Sequence, residues 1–217
     1  GALSSLSAGL FVLYRGKTRV STRRIWFALC VSISSWHLGR FLMTQASTQI
    51  VAQYATLLVY LGAILIPAAY LHFVLSLLAE EKRHLRLLVA AYGVALVELF
   101  FYFRGSLLSG VRQYSHGGFY EIPGEFYIVY VASYIIVPII AFAKLLVSFQ
   151  RTDAVVKRNQ LKYVIYSTVI GFVAGGMSFT PFLTTKVPPF GAPLVYLYTL
   201  PITYAVAKYR LMDINVV

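Results

Sequence analysis

Seven apolar runs, parted by gaps that are alternately basic and nearly free of charge, leave this chain few ways to fold. A helical membrane crossing takes about 20 predominantly apolar residues. The runs lie at about Ala2–Tyr14, Ile25–Thr44, Gln53–Leu78, Leu87–Phe103, Phe126–Phe149, Tyr163–Thr180 and Phe190–Ala207. Lipid offers no partner to backbone N–H and C=O groups, so only helices and closed barrels span it. These runs are too long and too uniformly apolar for barrel strands. The expected fold is an all-α membrane protein, a seven-transmembrane-helix bundle over residues 1–217 as one domain.

The charges orient it. Fourteen of the nineteen Lys and Arg fall in the first, third and fifth gaps and the C-terminal tail, including Arg15, Lys17, Arg19, Arg23 and Arg24 in the first gap alone. The opposite side carries only Arg104, Arg112 and Lys186. Cytoplasmic loops hold the Lys/Arg excess, which puts the C-terminus in the cytoplasm and, after seven crossings, the N-terminus outside. The net charge of +12 thus follows topology and points to an anionic lipid leaflet. No basic stripe interleaved with aromatics suggests nucleic acid. The single cysteine, Cys30, lies within a run and forms no internal disulfide. Ala2–Tyr14 makes only about 20 Å of helix at ~1.5 Å per residue, short of a ~30 Å hydrocarbon core. The expectation is a truncated first helix, with a re-entrant or interfacial segment as the alternative.

Ionisable residues inside a membrane are costly and mark either structure or function. Arg40 and Glu98 lie at depths of about 22 and 17 Å along helices of the same direction. Two readings stand: they pair, or both line a wet external pocket. His37 is a further candidate, as are Tyr120, Glu121 and Glu125 in the longest external loop, Arg104–Glu125. Pro67 frees the carbonyl of Ala63 and kinks the third helix. Beyond it, Tyr70 and His72 form a candidate switch, His72 serving as a sensor or as a hydrogen-bonded group inside the bundle. His84 and His116, in loops, are expected to be solvated, and Lys144 to snorkel. Gly171 and Gly175 space a Gly-x-x-x-Gly, read as internal packing before dimerisation. Trp26 suits an interface belt and Trp36 a packed position. No spacing of His with Cys or carboxylates suggests a metal, no cofactor fingerprint is found, and no nucleophile–base set or phosphate loop suggests an enzyme. The last run lacks the deep lysine a retinal protein needs.

Five stretches resemble one family in order along the chain. They are Trp36, Ile66-Pro-Ala-Ala-Tyr-Leu-His-Phe73, Arg158-Asn-Gln-Leu-Lys-Tyr163, Val187-Pro-Pro-Phe-Gly191 and the closing Ile202-Thr-Tyr-Ala-Val-Ala-Lys-Tyr-Arg-Leu-Met-Asp-Ile214. Together they resemble the seven-helix N-terminal sensor region of bacterial membrane histidine kinases. The resemblance implies a multi-pass sensor in a bacterial inner membrane. It would detect an external or membrane-borne small molecule or lipid-like ligand and relay it through the last helix to a cytoplasmic kinase, PAS or GAF module. It implies a possible homodimer and a linker starting at residues 208–217, with Tyr209, Arg210, Leu211 and Asp213 as signal output. The alternatives are a small transporter or channel with an intramembrane polar path, and a membrane anchor without a ligand.

Overall fold

A computed structural model describes residues 1–15, 19–114, 117–179 and 191–209. Helical stretches follow the seven runs in order: α1 (Ala2–Arg15), α2 (Val20–Gln45), α3 (Gln49–Ala63) with α4 (Leu65–Leu77), α5 (Leu85–Phe103), α6 (Tyr127–Arg151) and α7 (Val155–Gly176). The seventh begins with helical turns at Gly191–Leu194 and Val195–Tyr198 and continues as α8 (Thr199–Tyr209). Five of the stretches are long and apolar enough to cross a bilayer; α1 is a shorter apolar helix.

The third run is one crossing built from two helices. The helical path continues through Ile64, whose backbone is right-handed helical (φ −64°, ψ −35°) and whose N–H donates to the Tyr60 carbonyl at 3.1 Å; three residues on, Pro67 has no N–H to give the Ala63 carbonyl. The expected disruption is therefore a local interruption of the hydrogen-bond ladder within one continuous span, Gln49–Leu77.

The long Arg104–Glu125 loop holds an antiparallel hairpin. Gly105, at φ 72°, turns the chain out of α5, and the N–H of Ser106 donates to the Phe101 carbonyl at 3.0 Å. Strand β1 (Leu108–Gln113) then pairs with β2 (Phe119–Pro123), with Val111 opposite Glu121. Gly117 and Gly118, at φ 80° and 78°, take the left-handed conformations that a tight return requires.

α2 runs against α1, α3 and α4; α6 lies against α4, α5 and α7; and α8 packs on α7 and α1. α2 and α3 approach each other closely. A Cβ on Gly62 would strike the Ser32 carbonyl oxygen and the Trp36 nitrogen, and one on Gly39 would meet the Val59 nitrogen at 2.5 Å. Small residues let membrane helices come this close. Gly171 and Gly175 also pack internally, against Tyr198 and the Tyr134 hydroxyl.

Candidate functional site

At the hairpin end, alternation along β2 turns Phe119 and Glu121 inward and Tyr120 to the other face. Glu121 is 1% exposed. Its carboxylate accepts a two-pronged pair of hydrogen bonds from Arg40, at 2.6 and 2.5 Å, and a third from the Tyr60 hydroxyl at 2.8 Å. Burial opposes its charge, but the Arg40 guanidinium and these hydrogen bonds prevail and hold the carboxyl below the ordinary glutamate range. The ring of Tyr60 stacks on Tyr102, 5.5 Å between centroids, whose hydroxyl shares a 2.9 Å hydrogen bond with Thr56. The Gln49 amide donates to the Val111 carbonyl at 3.0 Å. A soluble-looking hairpin is thus fastened into the bundle by one buried ion pair and its tyrosine.

Of the two readings for Arg40 and Glu98, the pair does not form: Arg40 takes Glu121. Matching depth only allowed Glu98 as a partner, because depth says nothing about which sector of the bundle a residue faces. Glu98 is 1% exposed, and both its carboxyl oxygens lack a hydrogen bond. Ser133 faces it, but the serine hydroxyl donates to the Tyr130 carbonyl. His37 is buried against the start of α1, its ring 4.7 Å from Trp36. Tyr120 rests on Tyr114, with 4.9 Å between rings, and Glu125 is exposed. Tyr60 was missed from sequence, as one tyrosine among seventeen carries no signal. The hairpin was legible in principle, because Gly117-Gly118 beside the alternating Phe119–Pro123 is a strand-return signature.

Behind the ion pair lies a cavity of about 70 Å³ between α2, α4, α6, α7 and the last helical stretch. One face of α2 lines it from Trp26 through Ile33 to Arg40. The opposite wall includes Val195, Tyr198 and Ile202 of the last stretch. Pro67 is buried next to this region, and Tyr70 lines it, its hydroxyl 2.7 Å from Thr168 Oγ1. His72 turns the other way, toward the Tyr92 hydroxyl at 3.1 Å. The candidate switch residues therefore separate: Tyr70 faces the cavity and His72 faces α5.

At the opposite end of the bundle, His84 sits 3.2 Å from Glu80 and 2.8 Å from Lys144, whose ammonium is 3.6 Å from the same glutamate. His84 is therefore part of an ionic cluster and not merely solvated. Among the described residues no group of three or more His, Cys, Asp and Glu is placed to hold a metal. His116, Lys17, Lys186, the Val187–Phe190 stretch, Arg210, Leu211 and Asp213 lie outside the described residues. Tyr209 ends α8, and its side chain is likewise not described.

No curated protein matches the chain. A family model described as the N-terminal 7TM region of histidine kinase matches residues 1–215. The chain belongs to that family, and is a multi-pass membrane region of the histidine-kinase sensory type.

Proposed function

We propose that this member of the family is a receptor: it detects an external or membrane-borne ligand and relays the event through its last helix to a cytoplasmic kinase module of the parent chain. The hairpin faces outside, and the Glu80–His84–Lys144 end faces the cytoplasm of a bacterial inner membrane. The Lys/Arg excess at that end supports this orientation. One observation carries the relay: a single cavity has Arg40, held by the hairpin's Glu121, in one wall and Tyr198 and Ile202 of the last helical stretch in another. An occupant, or a change in hairpin docking, therefore acts on the output helix directly. A ligand shifts such an equilibrium only by binding one arrangement better than the other, so the last helix has a second arrangement. Arg40, Glu121 and Tyr60 are the coupling residues, with Tyr70 in the cavity wall. Tyr120 and Glu125 are on the outer surface, where a polar ligand would first be met. The output passes through Tyr209, Arg210, Leu211 and Asp213.

The test is a pair of distance measurements between spin labels in the parent protein reconstituted in vesicles, with Cys30 replaced. One pair spans Ser109 and Leu194 at the outer face, the other Val155 and Tyr204 at the cytoplasmic half; all four are exposed. Glu121→Gln is expected to shift both distributions. A shift confined to the outer pair means that the hairpin moves alone, and the relay fails.

A further inference from the structure

At the end of the bundle opposite the hairpin, one ring nitrogen has two partners that exclude each other. His84 Nε2 lies 2.8 Å from the Lys144 ammonium and 3.2 Å from Glu80 Oε2. An ammonium can only donate and an ionised carboxylate can only accept. Nε2 carries either a lone pair, which takes a hydrogen from Lys144, or a proton, which it gives to Glu80. At 2.8 Å an imidazolium would set its N–H against an ammonium N–H, so the arrangement seen belongs to the neutral ring with its proton on Nδ1. Lys144 then holds His84 and, at 3.6 Å, Glu80 together.

The three groups stand on two separate pieces of the fold. α4 closes on Ala79, at φ 59°, with the Ala79 N–H on the Ser76 carbonyl at 3.1 Å and the Glu80 N–H on the Leu75 carbonyl at 2.8 Å. This helix stop normally takes glycine, and it sets where the chain leaves α4. One turn on, the His84 N–H donates to the Glu80 carbonyl at 3.1 Å, and the His84 carbonyl accepts the Leu88 N–H that opens α5. Glu80 and His84 therefore belong to one hydrogen-bonded turn, and Lys144 reaches it from α6. Little else fastens α5, since of its 19 residues only Leu88, Ala91, Ala95 and Glu98 are buried. The remaining charged groups at this end are otherwise occupied. Glu81 lies 4.0 Å from His72 Nε2 on α4. Lys82, Arg83, Arg86 and, on α6, Arg151 are exposed to water. The side chains of His84, Lys144 and Glu80 are a quarter to a third exposed, so protons reach the ring.

We propose that this cluster is a second input of the protein: a proton-operated latch between the α4–α5 turn and α6, at the cytoplasmic face. With the ring neutral, Lys144 is held and the latch is closed. A proton taken from the cytoplasm onto Nε2 makes that nitrogen a donor. His84 then passes to Glu80, the ammonium loses its acceptor and is repelled by the new positive charge, and α6 comes free of the turn. Imidazole is the side chain whose ordinary charge change falls between pH 5 and 8, and the sign follows: the latch is closed at higher pH and opens as the pH falls. Partly exposed ionic contacts are weak enough to be exchanged in this way. α6 joins α7 through residues 152–154 alone, and α7 carries α8, so the released end lies one short link from the helix pair that forms the output. The latch is independent of the cavity relay and shares with the receptor reading only the orientation of the bundle.

The intact chain is reconstituted in phosphatidylcholine vesicles with Cys30 replaced and spin labels at Val89 on α5 and Val147 on α6, both exposed. Expected is a reversible lengthening of their distance as the pH falls from about 8 to about 5.5. His84→Gln, whose amide oxygen accepts from Lys144 but takes up no proton in this range, should stay short throughout. Lys144→Met should be long at every pH. Glu80→Gln should keep the change but move it toward acid by less than about one pH unit, because the imidazolium loses its acceptor. Magnetic resonance of isotope-labelled histidine gives a second readout. The signal missing from His84→Gln should report a proton on Nδ1 alone at high pH and on both nitrogens at low pH. A distance that stays constant in the otherwise unmodified chain makes the cluster a fixed ion pair and overturns the proposal. So does a change that survives in His84→Gln, which would assign the response to His72 and Glu81. In vesicles with the chain oriented one way, acid on the side away from the hairpin must act. Action from the hairpin side alone overturns the cytoplasmic input and the orientation with it, and leaves the cavity relay to its own test.

Discussion

The two ends of the bundle gather the same kinds of charge under opposite conditions. At the hairpin end Arg40 and Glu121 meet with side chains 12% and 0% exposed, and every carboxylate lone pair in use is matched by a directed donor. At the other end Lys144, His84 and Glu80 are a quarter to a third exposed and share longer, looser contacts. Water and salt screen the second cluster and leave the first almost untouched. Distance is the smaller part of the difference; what surrounds the two is the larger. A buried pair is costly to desolvate, so breaking it by half is worse than never having it, whereas an exposed cluster can lose a member at little cost.

The largest effect should follow from breaking the inner pair by half. Arg40→Ala leaves Glu121 buried without a cation, with only the Tyr60 hydroxyl to meet it, and is expected to lower unfolding free energy by about 3–5 kcal/mol, measured by denaturant unfolding in detergent. Arg40→Met with Glu121→Leu should recover most of that loss; if the double variant is as unstable as the single one, the pair itself, and not the stranded charge, holds the hairpin. Next comes the packing that positions α2. Gly62→Leu forces α2 and α3 apart and should cost about 1–3 kcal/mol, with a loss of yield in the same assay. A neutral result would mean that the Gly62–Ser32 approach is not a constraint. A smaller effect is expected at the other end, where Lys144→Ala should cost at most about 1 kcal/mol and less still in high salt. A larger loss would erase the contrast between the ends.

The last prediction is of no change. Because the folded state holds Glu121 below its ordinary pKa, the stability it contributes is complete above the unfolded glutamate value of about 4.3. That stability is lost only as pH falls through the lowered folded value. A label distance from Ser109 to the bundle should therefore stay constant from about pH 8 to pH 5 and lengthen only in stronger acid. Release of the hairpin near pH 6 would show that burial, not Arg40, sets the protonation of Glu121.

Much of the scaffold could be read before any coordinates. Apolar length gave most of the helices to within a few residues, although α7 starts at Val155, about eight residues before its apolar run; the interruption at Pro67 was visible because proline lacks a donor, and Trp36 packs as expected. The candidate site was only half visible. Arg40 and Glu121 each stood out as a charge in a costly place, yet they lie 81 positions apart, and Glu98 at a matching depth was as good a partner on sequence grounds. Gly39 and Gly62, which let α2 and α3 come close, have no spacing to betray them because they sit on different helices.

The sequence by itself determined the lipid setting, the number and order of helical stretches and the side that carries the positive charge. These follow from length, hydropathy and loop composition, which are local quantities. Only the tertiary structure decided that Glu121 and not Glu98 meets Arg40, that Tyr70 and His72 face different neighbours, and that one cavity touches both the arginine and the last helix. Those depend on how each helix is rotated about its axis and which neighbours it has. Packing of side chains over the whole bundle fixes that rotation, and a one-dimensional pattern in a uniformly apolar helix carries almost no trace of it.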